Sequence, residues 1–236
     1  MGHDSTLERI SERHEMFDAV IFDWDGTLAD TTFAVVTSFQ TVLKEMGCSV
    51  TDEFLERRIG IGTKRTLAEA LRAKNTPFTD EEIDELTKKK TKVQVRLTHT
   101  VSLFEGAVSL LESLESKTKV ALASMSNREV IDKLLDEKGI RKYFNVVVTA
   151  DEVIQPKPDP EAFLKCAIYL KCLLEKCIVV EDSIFGVQAA KQAGMRCIAI
   201  PTGAYSKEEL ESENPDLIVN SIKERETILD FVLKPH

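Results

Sequence analysis

The sequence predicts an α/β protein, a doubly wound parallel sheet with a wholly helical block inserted after its first strand. Three observations carry that expectation. Short, nearly continuous runs of Val, Ile, Leu and Ala recur along the chain and alternate with amphipathic stretches of helical period, as strands buried on both faces do. The alternation fails between about residues 31 and 100, where no clear strand-like run occurs. Polar residues also cluster at the carboxyl ends of several apolar runs, where the ligand crevice of an open parallel sheet lies.

Taken in order, residues 1–16 are polar and charged, with no apolar signal-peptide core, and form an N-terminal extension. Residues 17–30 open the α/β core, with a first strand at 19–24 that ends on acidic residues. The block 31–100 has helical periodicity at 33–46, 52–58, 64–73 and 80–97. Thr79 with Glu82 supplies a capping box for the last of these. The core resumes over 101–236, where helices at 106–117, 127–138, 160–170, 185–193 and 207–212 alternate with strands at 119–123, 145–149, 177–180, 197–200 and 216–219. Ser126 with Glu129 fits a second capping box, and Asp159-Pro160 marks another helix start.

Composition narrows the class. Of 236 residues, 43% are hydrophobic and 30% charged, which excludes a disordered or collagen-like chain. The longest stretch free of ionisable residues, 31–43, is too short for a membrane helix. A net charge of −9 argues against nucleic acid and acidic membrane surfaces as partners, although a local cation cluster leaves room for a small anionic substrate. The five cysteines are odd in number and form no C-x-x-C pair, so neither a disulfide framework nor a zinc site is expected, and a reducing cytoplasm fits. The four histidines are scattered and suggest no metal cluster.

Four segments carry chemistry. In Asp23-Trp24-Asp25-Gly26-Thr27, two carboxylates at i and i+2 face one side where a strand ends, and Gly26 permits a sharp turn; the same pattern also suits a calcium-like loop or plain turn chemistry. In Ser124-Met125-Ser126, a helix start beyond a strand end offers backbone N–H groups to an anion, with helix capping as the alternative. Lys157 stands between Pro156 and Pro158, which fix where it points, whereas a solvated loop lysine needs no such bracing. Glu181 and Asp182 end an apolar strand, where adjacent acids are costly to bury unless paired or bound to a metal; a helix cap by Asp182 or Ser183 is the alternative.

Together and in this order, the four segments resemble the haloacid dehalogenase superfamily of phosphotransferases over nearly the whole chain after residue 17. EDSIFGVQAAKQAGM and ALASMSN look most like the branch containing β-phosphoglucomutase and phosphoglycolate phosphatase. The resemblance implies a Rossmann-type core with an inserted α-helical cap at 31–100. It implies a phosphatase in which Asp23 attacks the phosphoryl group, Asp25 acts as general acid and then base, and Lys157 neutralises charge. Ser124, Lys157 and the adjacent backbone at Met125 would bind phosphate. Asp23, the Asp25 carbonyl, Glu181 and Asp182 would hold Mg²⁺.

The resemblance also separates reactions. Trp24 stands where relatives commonly carry a smaller residue; a phosphonate-cleaving group shares the tryptophan but lacks the second aspartate, present here as Asp25. The mutase carries a histidine in the cap just after the first motif, whereas this chain has Val35 and no histidine in that stretch, so hydrolysis of a small phosphorylated metabolite is expected over phosphosugar mutation. A phosphorylation-dependent binding module that does not turn over is a further alternative, although a mere binder has no need of Asp25. In the loop from Gly60 to Arg65, Lys64 or Arg65 is a candidate contact for the substrate's anionic end, and Lys88-Lys89-Lys90 reads as a solvated helical face. A monomer or homodimer is expected.

Overall fold

Six short runs rich in Val, Ile and Ala pair side by side because each has two apolar faces to bury. The structure, a computed structural model, describes residues 16–234, so nearly all of the N-terminal extension lies outside the described residues. The strands are β1 (Ala19–Phe22), β4 (Lys119–Ala123), β5 (Val146–Val148), β6 (Cys177–Glu181), β7 (Arg196–Ala199) and β8 (Leu217–Ile218), all parallel, in the order β5-β4-β1-β6-β7-β8. The chain moves outward from β1 through β4 to β5, then returns to β6 on the other side of β1. The topological switch point therefore lies between β1 and β6, in register from Ala19↔Cys177 to Phe22↔Val180.

Side-chain alternation explains the unbroken hydrophobicity of these strands. Val20 and Phe22 of β1, with Val120, Leu122, Ile178 and Val180, pack in one cluster beneath α5 (Ala107–Leu114), α6 (Arg128–Glu137) and α10 (Arg225–Leu233). Ala19 and Ile21, with Ala121, Ala123 and Val179, pack in the other beneath α7 (Glu161–Leu170), α8 (Ile184–Gln192) and α9 (Lys207–Ser212). Fully buried side chains such as Phe22 and Phe163 each contribute about 1.5–3 kcal/mol. Trp24 is also fully buried; among the described residues, its indole Nε1 is the buried side-chain polar atom without a hydrogen-bond partner.

The helices of the inserted block are α1 (Thr32–Glu45), α2 (Asp52–Glu56), α3 (Thr63–Ala73) and α4 (Asp80–Arg96). They enclose their own apolar cluster of Phe39, Val42, Leu43, Leu55, Leu67 and Leu86, among others. Thr79 caps α4 as expected: its hydroxyl accepts from the Glu82 amide (3.2 Å), and the Glu82 carboxylate accepts from the Thr79 amide (2.8 Å). The chain enters and leaves the block through two antiparallel two-residue strands that the sequence did not suggest, β2 (Ala29–Asp30) and β3 (Ser102–Leu103).

Two expectations are corrected. Ser126 does not cap α6; Asn127 occupies the N-cap position, and an Asp151 carboxylate oxygen accepts from the Arg128 amide at 2.6 Å. Nor is the lysine run wholly solvated, because Lys90 is only 2% exposed. It lies seven residues after Ile83 and four after Leu86, on the buried stripe of α4, while Lys88 and Lys89 face outward. Among the described residues, no helix is long and apolar enough to cross a membrane.

Candidate active site

At the carboxyl end of β1 the chain must turn sharply, and Gly26 makes that possible with φ +86°. A side chain there would also collide with the Asp182 carboxylate. The turn buries Asp23 and Asp25, at 3% and 5% exposure. Lys157, fully buried, donates from Nζ to Asp23 Oδ1 (2.5 Å) and to Glu181 Oε1 (2.6 Å), with its ammonium 4.9 Å from the Phe163 ring centroid. The predicted lysine and two of the predicted acids thus form one cluster at the switch point.

Glu181 is fixed from both sides. Its second oxygen accepts from the amides of Asp182 and Ser183 (both 2.9 Å) and from the Ser183 hydroxyl (3.0 Å). The Ser183 hydroxyl also caps α8 by accepting from the Gly186 amide, and any side chain at position 186 would overlap the Glu181 carboxylate. Asp182 accepts from Thr27 Oγ1 (3.1 Å), while a side chain at Gly203 would strike its other oxygen. Two glycines from separate loops, Gly26 and Gly203, therefore leave room around Asp182.

Burial pushes the Asp23 and Asp182 carboxyls well above the ordinary carboxylate range; Lys157 opposes this shift, and neighbouring acids add to it. Burial alone would lower Lys157, but the adjacent Asp23 and Glu181 carboxylates outweigh it and hold the ammonium above its ordinary range. Asp23, Glu181 and Asp182 each offer an oxygen, all within 4.8 Å of one another. Three buried acids facing one lysine leave a charge deficit, and the all-oxygen donor set suits a hard divalent cation.

Asp25 points away from this trio. Its Oδ1 accepts from Thr31 Oγ1 (2.7 Å), and its Oδ2 accepts from the hydroxyls of Ser124 and Ser126 (3.2 Å each). Only its main-chain carbonyl is then left for a cation. Ser124 Oγ further accepts from the Ser126 amide (3.0 Å), which tightens the predicted anion loop. Above Asp25 lies a cavity bounded by Met125 and Ser126 from the sheet side and by Val35, Phe39, Arg58 and Lys90 from the helical block.

Comparison with known proteins shows the family. A family model described as haloacid dehalogenase-like hydrolase matches residues 20–200. The chain belongs to the haloacid dehalogenase-like hydrolases. It is 36% identical over 188 residues to a phosphorylated carbohydrates phosphatase of Thermotoga maritima, covering 77% of this chain and 83% of that one. It is 31% identical over 188 residues to a fructose-1-phosphate phosphatase of Escherichia coli, covering 79% and 98% respectively. A solved β-phosphoglucomutase from Clostridium difficile superposes with a TM-score of 0.83 at 27% identity, over 92% of this chain and 97% of that one.

Within this haloacid dehalogenase-like fold, the two cap candidates do not line the cavity above Asp25. Lys64 is exposed and paired with Asp84 (2.5 Å). Arg65 pairs with Glu69 (2.9 Å) and donates to the Lys157 carbonyl (3.4 Å). Two cations line it, Arg58 and Lys90; the Lys90 Nζ donates to Gln94 Oε1 (2.5 Å) and sits 4.6 Å from the Phe39 ring centroid. Burial lowers its pKa to about 8, with Asp25 opposing the shift. Arg58, by contrast, is already paired with Glu69 (2.9 Å). The helical phase of α4 was the signal for Lys90. No sequence pattern pointed to Thr31 or Gly203.

Proposed function

We propose that this chain is a Mg²⁺-dependent phosphomonoester hydrolase that acts on a small phosphorylated metabolite, such as a sugar phosphate, through a phosphorylated Asp23. The observation that carries the reading is the pairing of buried Asp23 with Lys157 at 2.5 Å while Asp25, two residues on, is held by three hydroxyls at the floor of the cavity under the helical block. Residues 31–100 are read as the cap that closes that cavity. Free thiols at all five cysteines support a cytoplasmic setting.

In the first step an Asp23 oxygen forms a bond to phosphorus as the ester P–O bond breaks, and Asp25, acting as general acid, gives a proton to the departing alkoxide. In the second, Asp25 takes a proton from water, whose oxygen attacks phosphorus and releases Asp23 and inorganic phosphate. Lys157 neutralises the attacking carboxylate and the phosphoryl oxygens throughout. Ser124 and the backbone at Met125 orient those oxygens. Asp23, Asp182 and the Asp25 carbonyl, supported by Glu181, would hold Mg²⁺, which when bound offsets phosphoryl charge. Lys90 reaches the leaving-group side, where an ammonium recognises hydroxyls or a second anionic group.

Two relatives named as phosphatases of phosphorylated sugars support the substrate class. Val35, 4% exposed and facing the cavity, gives an apolar wall where the mutase reading asks for a histidine, which favours hydrolysis. The test is phosphate release across a panel of phosphorylated metabolites with Mg²⁺, using Asp23→Asn as the blank. Phosphate from at least one substrate and none from the blank is expected. Isomerised sugar phosphate without phosphate release would replace the reading with a mutase, and a blank with normal turnover would remove Asp23 as nucleophile.

A further inference from the structure

The Thr91 hydroxyl of α4 donates to Asn127 Oδ1 (2.8 Å), and two further contacts that the proposed chemistry leaves unused tie the helical block to the segments around the sheet. Arg57, just past α2, reaches the segment after β7. Its Nη2 pairs with Glu209 Oε1 (2.6 Å), its Nη1 donates to the Ala204 carbonyl (3.4 Å), and its guanidinium lies 4.5 Å from the Tyr205 ring centroid. The Tyr205 hydroxyl, on a side chain only 5% exposed, donates back to the Arg57 carbonyl (2.6 Å). At the second point, the Arg65 guanidinium lies 5.8 Å from the Phe185 ring centroid and donates to the Lys157 carbonyl (3.4 Å). Tyr205 and Phe185 meet edge to face with centroids 6.2 Å apart, so both arginines stand over one aromatic pair.

Both contacts end on segments that carry the candidate chemistry. Arg65 holds the main chain of Lys157. The Tyr205 segment begins with Thr202, which donates to the Gly26 carbonyl (2.5 Å), and Gly203, which makes room for Asp182. We propose that Arg57 and Arg65 are positioning residues: they dock the helical block on the Tyr205–Phe185 pair, and the docked state sets Lys90 over Asp25. Arg57 and Glu209 are 36% and 40% exposed, so the pair is screened by salt and easily broken. Docking rests on the phosphatase reading only for its kinetic consequence.

The test therefore has a structural and a kinetic arm. Nitroxides are attached at Ser49→Cys in the block and Ser212→Cys in α9, both exposed positions, with Cys172→Ser, and their separation is read by double electron–electron resonance. Glu209→Gln and Arg65→Met are expected to broaden and lengthen the distribution. In the kinetic arm, Glu209→Gln raises KM by about two- to fivefold with little change in kcat, because saturating substrate restores the docked state. Arg57→Glu and Glu209→Arg each weaken docking, and the double swap recovers both distance and KM. Unchanged distances in the single variants, or no recovery in the swap, would overturn the proposal. If no phosphorylated metabolite is hydrolysed, the phosphatase reading fails and the distances alone judge the docking.

Discussion

Lys90→Met should make the protein more stable and less active at once. Burial lowers the Lys90 pKa from 10.5 to about 8, a gap of some two and a half units, which at ~1.4 kcal/mol per unit is about 3 kcal/mol of destabilisation at neutral pH. Methionine keeps the unbranched stem against Phe39 but leaves the buried Gln94 oxygen without its donor, which costs about 1 kcal/mol. The net gain of about 2 kcal/mol should raise Tm at pH 7 by about 4–8 °C, read by calorimetry. The sign with pH follows from proton counts. Between about 8 and 10.5 the unfolded lysine binds more protons than the folded one, so wild-type stability rises with pH and the variant's advantage disappears across that window. Meanwhile KM for the preferred substrate should rise about tenfold or more in the variant, and wild-type KM should climb above pH 8 as the ammonium loses its proton. A variant less stable than wild type at pH 7, or an advantage that stays constant up to pH 10.5, would refute the reasoning.

Asp25→Asn should slow release of an alkoxide leaving group by on the order of 10²-fold or more, but affect p-nitrophenyl phosphate less, since nitrophenolate departs without a proton; it should also accumulate phosphorylated Asp23, visible by mass spectrometry. Gly203→Ala places a methyl against the Asp182 carboxylate and should raise the Mg²⁺ concentration needed for half-maximal activity by about 10-fold or more, with far-ultraviolet circular dichroism unchanged. Thr79→Ala removes one half of the α4 capping box and should lower stability by about 1 kcal/mol, or 2–4 °C in Tm, without altering kcat.

Much of the fold was legible because local pattern and global burial agree. A strand flanked by neighbours on both edges and helices on both faces has no polar side, and β1, β4 and β6 read that way apart from Lys119 and Glu181 at their ends. The acids at their tips stood out against that apolar background, and the prolines around Lys157 flagged a directed lysine. Ser126 misled because a hydroxyl three residues before a glutamate looks like a cap wherever it occurs; here the hydroxyl donates to Asp25 instead. Lys64 and Arg65 lie outside the lining of the cavity above Asp25, a placement the sequence leaves open because a cation after a glycine loop gives no information about which way its helix is turned.

Local periodicity was enough to mark the six strands of the parallel sheet and most helices, though not β2, β3 or α10, and to set four polar groups of residues at the ends of apolar runs. Tertiary structure decided which groups meet. It set Lys157 between Asp23 and Glu181, separated by 134 and 24 residues along the chain. It also turned α4 so that Lys90, rather than Lys64 or Arg65, faces the cavity above Asp25. The physical reason is that a side chain's partners depend on how elements pack at long range, whereas secondary structure depends on the few residues within one turn or one pleat.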